Sequence, residues 1–210
     1  MAVSFETLGE QPGAVTPALP TLLRVLAERD VSATFFIDAE TGRSEPLALT
    51  MASTAGHEIG GLLASEEDIA GTVAALEAAG RRVEGARPRP GSPTPSPAAL
   101  DGAGIRYVSA PDGPLRLDGA LVRIPLDRGL ADVEERGPQA WHQALQVAVA
   151  GALEAGKLLT LTFLPAQLER RDTLAAFVET VDLVVGLRRA GRVWTPTLAQ
   201  LAAWWAARPG

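Results

Sequence analysis

"ATFFIDAE" (Ala33–Glu40) and "GHEIGGLLASEE" (Gly56–Glu67) decide the fold. The first is a run of aromatic and β-branched residues ending in acids, the composition of a buried strand that leaves into a polar loop. The second holds "HEIGGL" (57–62), which reads as a strand, bounded by glycine on one side and serine and acids on the other. Between them "EPLALTMASTAG" (45–56) reads as a helix closed by glycine. The unit is strand, helix, strand.

The same alternation continues in both directions. "AVSFE" (2–6) reads as a first strand, and "PALPTLLRVLAER" (17–29) as a helix with Leu19, Leu22, Leu23 and Leu26 on one face. "SEEDIAGTVAALEAAG" (65–80) reads as a helix capped by Ser65 and closed by Gly80. Strands are expected at 83–88, 104–110, 120–126 and 157–164, and helices at 138–156, 171–191 and 197–208. The Pro-rich stretch 86–98 reads as one loop at a strand end. Repeated strand–helix alternation predicts an α/β fold with a parallel sheet, and about seven or eight strands favour a (β/α) barrel over an open sheet.

The 210 residues fit one domain, 1–210, with 47% hydrophobic and 21% charged residues. A net charge of −6 without a basic block argues against nucleic acid or an anionic membrane surface as partner. No apolar run reaches the roughly 18–20 residues of a membrane span. The strand-like "AVSF" follows Met1 directly, so the chain as given is expected to be cytoplasmic, or else a domain cut from something longer. Cysteine is absent, which excludes thiolate metal sites, and the only histidines are His57 and His142.

These segments, in this order, resemble the polysaccharide deacetylases, the NodB-homology carbohydrate esterases. The resemblance rests on A-T-F-F, intact at Ala33–Phe36, followed by G-H-E-I-G, intact at Gly56–Gly60. Weaker matches are "SFETLG" (Ser4–Gly9) for T-F-D-D-G, "RPRPG" (Arg87–Gly91) for R-P-P-Y-G, "KLLTLTFL" for the late histidine strand, and "GRVWTPTLAQLAAWW" for the closing strand and helix. The resemblance implies a distorted (β/α) barrel and removal of acetyl groups from glycans. In that family an aspartate and two histidines hold a divalent metal and a second aspartate acts as base.

Carried over residue by residue, the base falls on Glu6 and the metal positions on Thr7, Leu62 and Glu66. That set offers one good ligand where three are needed, so no metal and no other cofactor is expected. The tyrosine that donates its backbone N–H to the oxyanion aligns with Pro90, which has none. The late general acid aligns with Thr162. The expectation is a domain that has lost deacetylation and serves as a glycan-binding or scaffolding unit, its partner a glycan or another protein domain. The alternative is a hydrolase with a repurposed, metal-poor site built from Glu6, Glu66 and Arg87. Glu6 and Glu66 could pair as an acid/base set, or be solvated or paired with Arg87. His57 and Glu58, on opposite strand faces, read as structural hydrogen-bonding groups. His142 beside Trp141 reads as a surface or cap residue, and Trp204–Trp205 as packing for the last helix.

Overall fold

The computed structural model describes residues 1–7, 17, 19–78, 80, 82–111, 113–126 and 137–208, with Thr7, Pro138, Ala166 and Gln167 described in their backbone alone. Strands β1 (Ala2–Thr7), β2 (Thr34–Ile37), β3 (Glu58–Leu63), β4 (Gly85–Pro88), β5 (Tyr107–Ala110), β6 (Arg116–Asp118), β7 (Leu121–Pro125) and β8 (Thr160–Phe163) form one sheet. Its order is β6-β7-β5-β4-β3-β2-β1-β8. Every pairing is parallel except β6 with β7. The described strands number eight, the upper end of the expected seven or eight. The one without an expected counterpart is the short β6, whose alternation "RLD" is too brief to stand out.

The sheet curls into a distorted barrel. Among the described residues no ladder joins its two ends, but the Thr160 hydroxyl on β8 donates to the Pro125 carbonyl at the end of β7, 2.8 Å away. Packed around it are α1 (Leu19–Glu28), α2 (Ala39–Ser44), α3 (Pro46–Thr54), α4 (Ile69–Glu77), α5 (Pro97–Gly102), α6 (Pro138–Ala155), α7 (Arg171–Arg189) and α8 (Leu198–Ala206). Alternation along each strand sends Val3, Phe5, Phe35, Ile59, Val108, Leu161 and Phe163 outward into the larger core beneath the helices. Phe5 anchors this layer, with Phe35, Phe163 and Phe177 all within 5.9 Å of its ring centroid.

Several boundaries differ from the sequence reading for local reasons. Asp38 accepts from the Thr41 amide and starts α2, a helix hidden in what reads as a polar loop. Helix α4 begins at Ile69, because Ser65 donates to the Asp68 carboxylate instead of capping a helix. The Pro-rich loop ends sooner than expected, since Ser96 caps α5 with Pro97 at its first position. The part of "GRVWTPTLAQLAAWW" ahead of α8, matched to a closing strand, pairs with no strand among the described residues.

The barrel interior is closely fitted around two glycines. A Cβ on Gly85 would lie 1.9 Å from the Tyr107 ring, its partner in the ladder, and one on Gly60 would lie 2.8 Å from the Phe36 ring. Gly186, inside α7, meets nothing within 4 Å. Gly85→Ala is therefore expected to cost about 3 kcal/mol or more. Gly186→Ala should add about 0.5–1 kcal/mol through helix propensity. Urea unfolding of both variants measures the opposite signs.

Candidate active site at the mouth of the barrel

Strand alternation turns Ser4 and Glu6 of β1, Phe36 of β2, Leu62 of β3, Arg87 of β4, Ser109 of β5 and Thr162 of β8 into the barrel. Arg87 is wholly buried and converges with most of the others. Its Nη1 donates to Glu6 Oε1 at 2.9 Å and to Thr162 Oγ1 at 3.3 Å. Its Nη2 donates to Ser4 Oγ at 3.1 Å and Ser109 Oγ at 2.9 Å. The guanidinium lies over the Phe36 ring, 4.1 Å from its centroid. Gly60 makes room for that ring, so a motif glycine in the second defining stretch positions the arginine indirectly. Ser4 and Thr162 share a further hydrogen bond of 3.0 Å.

A second polar layer closes the other end of the barrel. Glu58 accepts from the Tyr107 hydroxyl at 2.5 Å, the Thr34 hydroxyl at 2.7 Å and the Ala199 amide at 2.9 Å. Thr34 Oγ1 in turn accepts from the Leu198 amide. The layer thereby ties the first turn of α8 to β2, β3 and β5. Burial raises the Glu58 carboxyl above its ordinary value, against the opposing pull of these hydrogen bonds. Burial, with Glu58 beside it, also pushes the Tyr107 phenol well up. His57 faces the opposite side, against Phe35, and its Nδ1 accepts from the Ala33 amide. Burial lowers its pKa.

The mouth of the barrel opens into a groove of about 350 Å³. Asp38, Arg89, Leu62, Arg43, Glu67 and Asp68 are among its walls. Asp38 is buried and its Oδ2 lies 3.0 Å from Arg89 Nη2. Arg89 follows β4, its amide donating to the Leu63 carbonyl. Pro90 and Gly91 then form a tight turn, with Gly91 at φ 83° and the Ser92 amide donating to the Arg89 carbonyl.

The residues singled out in the sequence fall in different places. Glu6, Arg87 and Thr162 are brought together. Glu66 is not part of that cluster: it is exposed and accepts from the amide and hydroxyl of Ser96 at 2.8 and 3.1 Å, ahead of α5. Leu62 is buried and lines the groove with an apolar side chain. Pro90 sits in the exposed turn. His142 lies against Gln146 and Glu179, between α6 and α7. Trp204 is 42% exposed rather than packed on the barrel, while Trp205 is partly buried against the interior cluster.

The sequence reading missed Asp38, Arg89, Ser109 and Tyr107. Asp38 stands three residues before Thr41 at a strand end, a helix-cap spacing. Tyr107 and Ser109 share one face of "YVSA" by the two-residue period. Nothing local marks Arg89.

The donor chemistry does not fit the divalent metal that the resemblance implies. Leu62 supplies no donor atom, and the Glu66 oxygens are taken by Ser96. Glu6, at the base position, is ion-paired with Arg87 at 2.9 Å. Among the described residues no three His, Asp or Glu side chains gather to hold an ion.

The Glu58 layer gives a pH prediction. With the native carboxyl raised above 4.5, the folded state binds more protons than the unfolded one between the two values. Stability should therefore fall as pH rises through that window. Glu58→Gln cannot ionise, and its stability should lack this slope in urea titrations from pH 4 upward. Parallel curves for the two proteins would contradict the assignment.

No protein-family model matches the chain, and no curated protein matches it significantly. Solved structures do match. A protein from Mycobacterium smegmatis assigned to the polysaccharide deacetylases superposes with a TM-score of 0.79 at 23% identity, over 96% of this chain and 88% of that one. One of like assignment from Pseudomonas aeruginosa PAO1 gives 0.78 at 16% identity, over 97% and 90%. A CE4 family pseudoenzyme from Bacillus anthracis gives 0.63 at 17% identity, over 96% of this chain and 65% of that one. Active-site identity does not follow from similarity at this level, but architecture does: the chain has the polysaccharide-deacetylase fold.

Proposed function

We propose that residues 1–210 form a single polysaccharide-deacetylase-like domain that no longer deacetylates and instead binds a glycan in the groove at the barrel mouth. The observation that carries this reading is the engagement of Glu6. The carboxylate at the base position is 5% exposed and held by a guanidinium that is itself sealed in the barrel. A general base must reach the water it deprotonates. Glu6 instead faces inward, into a network of Ser4, Ser109 and Thr162.

Three further features support it. Leu62 stands at a ligand position without a donor atom. Pro90 lacks the N–H that would stabilise an oxyanion, a loss worth on the order of 10²–10³ in rate. Thr162 has no group that protonates a leaving amine near neutral pH. A CE4 pseudoenzyme among the structural neighbours, one mutant of which is described as having restored enzymatic activity, shows that the fold persists without its chemistry.

The groove favours binding over pure scaffolding. It stays open, and Asp38, Arg89, Arg43, Glu67 and Asp68 give it alternating acceptors and donors suited to sugar hydroxyls. No helix among the described residues is long and apolar enough to cross a membrane.

Two measurements test the proposal. Acetylated chitooligosaccharides and acetylated xylan should release no acetate, with or without added zinc, cobalt or nickel. In NMR titration the same glycans should shift resonances of Leu62, Ala64 and Arg89. Acetate release that Glu6→Gln abolishes would establish the repurposed hydrolase instead. Absence of any shift at the groove would leave a scaffold.

A further inference from the structure

The opposite end of the barrel carries a second groove, of about 430 Å³, that the deacetylase-like mouth does not use. Trp194, Trp204 and Trp205 line it together with Lys157, Arg192 and Arg208. Trp194 is 48% exposed and Trp204 42%, with their ring centroids 5.6 Å apart. Trp205 follows at 6.2 Å from Trp204. The Arg208 guanidinium lies 3.7 Å from the Trp204 centroid and 5.6 Å from that of Trp205.

The charge here runs against that of the chain. The protein carries −6, yet no wall residue of this groove is acidic. Four arginines elsewhere, Arg24, Arg29, Arg123 and Arg170, lie against carboxylates. Lys157, Arg192 and Arg208 form no ion pair among the described residues. Exposed indoles beside unpaired cations offer flat apolar faces and anion partners within one concavity.

We infer that this groove binds an acidic sugar residue, a uronate-type pyranose whose C–H face stacks on an indole while its carboxylate meets Lys157, Arg192 or Arg208. The volume suits one or two sugar rings. A second copy of the chain fits poorly, because a two-fold contact would bring the same three cations against themselves. A membrane surface fits poorly as well: interfacial anchoring needs an apolar face that protrudes, and these indoles line a hollow. The choice of a sugar over another anion rests on the carbohydrate reading of the fold.

Tryptophan fluorescence and calorimetry with trigalacturonate test this on the full chain. Neutral chitotriose, hexaglutamate and phosphatidylglycerol vesicles serve as comparison ligands. Trigalacturonate should bind in a salt-sensitive way. Affinity should fall at least tenfold in Trp194→Ala and, separately, in the exposed pair Lys157→Glu/Arg192→Glu, with circular dichroism unchanged. Failure to bind at millimolar ligand would overturn the inference, as would indifference to both variants. Tighter binding of hexaglutamate or vesicles with the same variant dependence would also overturn it. Acetate release at the other end of the barrel would refute the non-catalytic reading and leave this site untouched, so the two can fail separately.

Discussion

A guanidinium sealed inside a barrel must be matched almost atom by atom, and much of this structure follows from matching Arg87. An arginine cannot shed its proton to escape burial, so its charge has to be met in place. Glu6 meets the charge at Nη1, Thr162 accepts from the same nitrogen, Ser4 and Ser109 accept from Nη2, and the Phe36 face covers the plane. Four strands besides β4 contribute to this arrangement. Their register is thereby linked: a slip of one residue in β1 would turn Ser4 and Glu6 outward together and strand the cation.

That structural role bears on function. Glu6, the position that the resemblance gives to a base, satisfies the barrel interior. The neighbouring changes are of one kind. Leu62 adds apolar packing, Thr162 adds an acceptor for Arg87, and Pro90 stiffens a turn that ends at Ser92. Each serves the fold locally. What stays open is the polar groove above them, where Asp38 and Arg89 pair across the mouth, and the indole and cation groove at the far end.

The architecture was legible because its signals are local and periodic. Apolar runs such as "ATFFI" and "LTLTF" have strand length, and glycines close the helices between them. Short elements escaped: β6 spans three residues, and α2 begins at a cap inside a polar segment. The Glu6–Arg87 pair was legible as a pairing of types, since arginine suits carboxylates, but the choice of Glu6 over Glu66 was not. It depends on the 81-residue separation closing across the barrel, and on Ser96 claiming Glu66 from a loop that reads as featureless proline-rich chain. Gly85 and Gly60 carried no visible purpose until Tyr107 and Phe36 were seen filling the space they leave.

The central claim, that Glu6 now serves the barrel rather than a reaction, is tested most directly by a double-mutant cycle on Glu6 and Arg87 followed by urea unfolding. Removing one partner of a buried pair typically costs about 3–5 kcal/mol, because the other charge is left unmatched. Glu6→Leu and Arg87→Met should each fall in that range, and the double variant should cost less than their sum by about 2 kcal/mol or more. Additive losses, with a coupling below about 0.5 kcal/mol, would mean that the pair does not hold the barrel and would contradict the account.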